Sequence, residues 1–84
     1  MITVAAVPNC QQCRATIKRL TNAGHKPQVT DYQEDKTAQD IAIRNGWTSA
    51  PVVYCTDNNG GEVHSWHGYN PHAIDLAIQA GHAN

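Results

Sequence analysis

The chain has 84 residues, 40% hydrophobic and 15% charged, with a formal net charge of -1 and a sequence pI near 6.5. That length accommodates one domain, residues 1–84, and the composition is that of a folded chain, not a disordered one. The balance of charge argues against nucleic acid as a partner, although Arg14, Lys18 and Arg19 cluster locally, and no run approaches the roughly 20 apolar residues of a membrane span.

The uncharged start from Met1 to Val7 lacks a basic targeting region and meets Pro8 at once, so the chain is expected in the cytoplasm, acting as a monomer. Ile2 to Val7 is apolar on both parities, as in a strand buried on both faces of a sheet. Pro8 and Asn9 break it. From Gln11, the positions Cys13, Ile17, Leu20 and Ala23 recur at helical spacing until Gly24. Pro27 to Tyr32 reads as a second strand with proline at its first residue, which predicts parallel pairing through a right-handed crossover.

Thr37-Ala38-Gln39-Asp40 has the spacing of a capping box, and Ala38, Ile41, Ala42 and Asn45 share one face of the helix that follows, before Gly46. Pro51 to Cys55 and Glu62 to Trp66 read as antiparallel strands joined by Asp57-Asn58-Asn59-Gly60-Gly61. Asn70-Pro71 supplies a cap and an N1 proline for a last helix that turns Ile74, Ala77 and Ile78 inward. The predicted fold is α/β, in the order βαβαββα: a four-stranded mixed sheet flanked by three helices.

Three cysteines are too few to staple a small secreted domain, and two of them form Cys10-Gln11-Gln12-Cys13 between the first strand and the first helix. A CxxC at that point in such a series points to the thioredoxin-like arrangement and to dithiol chemistry, with zinc binding as the competing use. Only a thiolate attacks a disulfide. Cys10 at the helix cap faces unpaired N–H groups and the positive end of the helix dipole, which favour the anion and make it the candidate nucleophile. Cys13, one turn in and more shielded, is the candidate resolving thiol.

Zinc would need further ligands. His64 and His67 form an HxxH, but about fifty residues separate it from Cys13 against the usual roughly 12–15. Strand residues three apart also face opposite ways, so the histidines are expected as a solvated pair flanking Trp66 and no metal is assigned. Cys55, inside a strand, is expected to pack as a small apolar residue. At Ala50-Pro51 an X-Pro bond can be cis at modest cost, which would present the Ala50 backbone beside the CxxC to a bound peptide.

Taken together, Met1-Ile2-Thr3-Val4, Pro8 to Thr16 with its CxxC, Ala50-Pro51-Val52-Val53 and Trp66-His67-Gly68-Tyr69-Asn70-Pro71 resemble the glutaredoxin-like NrdH-redoxins nearly end to end. The resemblance implies the thioredoxin fold and an electron carrier without a cofactor. Such a carrier is reduced by thioredoxin reductase and donates to class Ib ribonucleotide reductase. It makes Cys10 the attacking thiol, Cys13 the resolving thiol, Pro51 the cis-proline, and Ala50, Pro51, Val52, Trp66, His67, Gly68 and Tyr69 the partner-binding surface. Trp66 and Tyr69 are expected to lie exposed beside Cys10.

Related proteins commonly carry Tyr-Thr-Lys-Pro where this chain has Ala5-Ala6-Val7-Pro8, and glutathione-using relatives carry a Gly-Gly-x-Asp turn where it has the Trp66 to Pro71 stretch. Two other readings stand beside the carrier. One is a glutathione-dependent glutaredoxin with general disulfide reductase activity, and the other is a structural or zinc-binding module on the same fold.

Overall fold

The structure is a computed structural model and describes residues 1–81. Its elements are β1 (Ile2–Ala6), α1 (Gln11–Asn22), β2 (Gln28–Asp31), α2 (Lys36–Asn45), β3 (Val52–Thr56), β4 (Glu62–His67) and α3 (Pro71–Gln79), in the expected βαβαββα order. The sheet order is β2-β1-β3-β4. β1 pairs parallel with β2, and both the β1–β3 and β3–β4 pairs are antiparallel.

Alternation along β1 and β3 divides the interior into two layers. Ile2, Val4, Val53 and Cys55 point to one side, where they meet Trp66 of β4, Leu20 of α1 and Ala73, Ile74 and Ala77 of α3. Ala5 and Val52 point to the other side and pack on Ala38, Ile41 and Ala42 of α2, with Tyr32, Trp47 and Tyr54 at the margins. Ile2, Leu20, Ile41 and Ile74 are fully buried. Each such side chain contributes about 1.5–3 kcal/mol of transfer free energy.

Several local expectations are corrected. Val7, Pro27, Tyr32 and Pro51 lie outside the strands, and β3 and β4 each run one residue further, to Thr56 and His67. The cap of α2 is Asp35 rather than Thr37, because its carboxylate accepts the Ala38 N–H at 3.0 Å. Asn45 and Ala23 are exposed, whereas Thr16 is fully buried. Burial of Thr16 is tolerated because its hydroxyl donates to the Gln12 carbonyl at 2.8 Å. Among the described residues, no helix is long and apolar enough to cross a membrane.

Candidate functional site

β1 delivers the chain to a tight turn at Pro8-Asn9, where Asn9 takes a left-handed φ of 58°, a conformation that asparagine tolerates better than most residues. Cys10 then caps α1 from an extended conformation, and its Sγ accepts the Cys13 N–H at 3.1 Å. Cys10 and Cys13 are joined as a disulfide with Cα atoms 5.2 Å apart. Cys10 is half-buried and Cys13 is only 3% exposed, so the pair has one more accessible and one shielded cysteine. Such a pair can exchange electrons two at a time with another disulfide.

The Ala50-Pro51 bond is cis, and Pro51 is fully buried. Two hydrogen bonds tie the segment after β4 to this region. Gly68 N–H donates to the Pro51 carbonyl at 2.9 Å, and Tyr69 N–H donates to Gln12 Oε1 at 2.9 Å. Gly68 has a φ of +71°, and a Cβ there would come within 3.0 Å of Gln12 Oε1, so the close approach needs glycine. The CxxC turn, the Pro51 junction and the Gly68-Tyr69 segment thus form one connected surface.

That surface differs from the one expected: Pro51, Val52 and Gly68 are buried within it, and Trp66, His64 and His67 are not placed as expected. Trp66 is 4% exposed and belongs to the α1/α3 layer, since its parity on β4 matches that of Val53, its partner across the ladder. It cannot be an exposed anchor. Tyr69, at 39% exposure, can. His64 and His67 are half-buried, not a solvated pair. His64 tilts against Trp66 with ring centroids 5.1 Å apart, while His67 stacks on Trp47 at 4.8 Å on the other face.

A cleft of about 120 Å³ opens beside the Ala50-Pro51 bond, lined by Val7, Tyr32, Trp47, Ala50 and Val52 together with Thr48 and Ser49. None of these residues is charged. Cys55 is completely buried, and burial pushes its thiol up to about 11, as suits an inert packing residue. Sequence reasoning missed Gln12 and Trp47. Trp47 carried a signal, as an aromatic residue just ahead of Ala50-Pro51; Gln12 carried none beyond its place inside the CxxC.

A more accessible cysteine at a helix N-terminus, a shielded partner one turn in, and a four-stranded mixed sheet with helices on both sides define a thiol-disulfide redox protein of the thioredoxin-like fold. The family model described as Glutaredoxin matches residues 2–59, and the chain belongs to that family. Among solved structures it is similar to the glutaredoxin-like protein NrdH-redoxin from Escherichia coli, whose description refers to a thioredoxin-like activity profile. The two are 27% identical with a TM-score of 0.70, over 89% of this chain and 91% of that one. Plasmodium falciparum thioredoxin shares the fold, at 18% identity and a TM-score of 0.61 over 94% of this chain and 82% of that one. No curated protein matches the chain.

Proposed function

We propose that the protein is a dithiol electron carrier that takes electrons from thioredoxin reductase and delivers them to a protein disulfide, that of a class Ib ribonucleotide reductase. Cys10 is the attacking thiol: its thiolate opens the target disulfide and forms a mixed disulfide. Cys13 then attacks Cys10 Sγ, closing the internal disulfide and releasing the reduced target. Ala50 flanks the incoming chain and Tyr69 completes the contact surface, with the buried Pro51, Val52 and Gly68 fixing its shape from beneath. The reading places this exchange in the reducing cytoplasm.

The observation that carries the choice of electron source is the uncharged cleft beside Ala50-Pro51. Val7 lines it where related proteins commonly carry a lysine. Holding a glutathione carboxylate calls for a cation or converging backbone donors. The start of α3 is a poor substitute, because Asn70 already occupies the Ala73 N–H and Pro71 has no N–H to offer. The similarity to a protein with a thioredoxin-like activity profile supports the same reading.

The test is to follow NADPH oxidation with purified thioredoxin reductase and, separately, with millimolar glutathione and its reductase, then to couple the faster system to a class Ib ribonucleotide reductase. Thioredoxin reductase is expected to reduce the Cys10-Cys13 disulfide much faster. Comparable rates, or turnover with glutathione alone, would make the protein a glutathione-dependent glutaredoxin instead.

A further inference from the structure

Helix α1 carries Arg14, Lys18 and Arg19 and no acidic residue. Arg19 is engaged, with Nη2 3.0 Å from Asp75 Oδ2 of α3, and its guanidinium pKa is raised first by Asp75 and then by Tyr69. Among the described residues Arg14 and Lys18 have no ion-pair partner, and both are exposed. They are placed against local stability. Arg14 sits in the first turn, where the helix dipole disfavours a cation, and Lys18 follows it at the i,i+4 spacing, where like charges repel. The chain as a whole is slightly acidic, yet this helix and its one neighbouring carboxylate sum to +2: three cations less Asp75.

The location matters as much as the charge. Arg14 and Lys18 stand four and eight residues after Cys10, roughly one and two turns along the helix. A groove of about 300 Å³ runs along the same helix, lined by Ala15, Lys18, Arg19, Asn22 and the half-exposed Tyr69. Tyr69 is also the residue that Gln12 ties to the CxxC turn. A basic strip therefore runs along α1 from Arg14, four residues after Cys10, to Lys18 at the edge of the groove.

We propose that this strip of α1, from Arg14 to Lys18, binds an acidic, extended segment of the target protein, one that carries carboxylates close to the cysteine being reduced. At about 1.5 Å of rise per residue, Arg14 and Lys18 lie roughly 6 and 12 Å along the axis from Cys10. An extended chain advances about 3.3 Å per residue, which puts the matching carboxylates about two and four residues from the reacting cysteine. The span to Lys18 calls for a peptide segment and not a small thiol. In the reaction the Cys10 and Cys13 thiols together give up two electrons and two protons, the peptide S–S bond breaks and takes them to become two thiols, and the Cys10-Cys13 bond forms. This inference rests on that exchange and not on which reductase supplies the electrons.

The experiment uses pre-reduced protein in single turnover against two peptides with the same internal disulfide. One has Asp or Glu at the second and fourth residues on both sides of the cysteines, and the other has Asn or Gln. The readout is the ratio of the two rates, in which general changes in thiol reactivity cancel. At about 0.02 M ionic strength the acidic peptide is expected to react roughly three- to tenfold faster, the advantage shrinking toward one at about 0.5 M. Arg14→Gln with Lys18→Gln is expected to bring the ratio near one even at low salt, whereas Lys26→Gln leaves it in place. A ratio near one for the unaltered protein at low salt, or a ratio indifferent to the Arg14 and Lys18 changes, would overturn the docking proposal. No reaction with either peptide would overturn the exchange on which it rests.

Discussion

Helices α1 and α2 both begin at a side chain that accepts the backbone N–H three residues on: the Cys10 sulfur from Cys13 at 3.1 Å, and the Asp35 carboxylate from Ala38 at 3.0 Å. Around Asp35 the remaining acceptor capacity is consumed internally, by the Thr30 hydroxyl at 2.7 Å and the Tyr54 hydroxyl at 2.9 Å. Burial raises the Asp35 pKa, but the hydrogen bonds from Ala38, Thr30, Tyr54 and Thr37 outweigh it and hold the carboxyl below its ordinary 3.8. Cys10 has the one N–H contact and a bond to Cys13, and the residue is only half-buried. The same helix-end electrostatics thus serve the fold at α2 and a reaction at α1. What separates them is how much of the capping atom is left for an outside partner.

The largest expected effect breaks the comparison at the reactive end. Cys10→Ser should lower disulfide reduction by at least about a thousandfold, since it removes the nucleophile itself. Asp35→Asn should leave the rate unchanged, because that cap's carboxylate bonds within the fold and takes no part in the exchange. A steady-state assay on a small neutral disulfide measures both.

Next in size is the contrast between Trp66, in the core, and Tyr69, on the surface. Trp66→Ala should cost about 3–5 kcal/mol in urea unfolding, whereas Tyr69→Ala should stay within about 0.5 kcal/mol and act on partner affinity instead. Similar losses from both would mean that the aromatic residues of this stretch share one environment.

Smaller again is the cap of α2. Asp35→Ala should cost about 0.5–2 kcal/mol near neutral pH. The folded carboxyl has the lower pKa, so its stabilisation is present above the ordinary aspartate value of 3.8 and is lost as pH falls through the folded value. Urea midpoints across the acid range should show that loss in the parent protein and a flatter profile in Asp35→Ala.

The alkaline limb has the opposite sign. Burial, and then Asp35, push the Tyr54 hydroxyl up to about 12 from 10.0, so the fold favours its neutral form. That contribution is intact below pH 10 and fades as pH rises toward 12. Cys55 adds an earlier loss, between 9.0 and about 11. Tyr54→Phe should remove the later part of the decline and leave the earlier part.

Much of this arrangement was legible in the residues. The CxxC after an apolar strand, the Asn70-Pro71 start of α3 and the glycine-rich hairpin are local signals, and local chemistry decides them. The cap of α2 was misplaced because Asp35 and Thr37 both have capping side chains; contacts with Thr30, five residues back, and with Tyr54, nineteen on, favour Asp35. The burial of Trp66 depends on the β3–β4 register, which shifts at Cys55/Thr56 and which no spacing rule predicts. Gln12 joins residues 57 positions apart, so its link to Tyr69 exists only once the chain has folded.

The central claim is that Cys10 attacks and Cys13 resolves. Mixing pre-reduced Cys13→Ser protein with a disulfide-bonded substrate and running a non-reducing gel tests it most directly, with mass spectrometry to locate the linked cysteine. A stable mixed disulfide through Cys10 is expected, with none from Cys10→Ser under the same conditions. Equal trapping by both variants, or trapping through Cys13, would contradict the account.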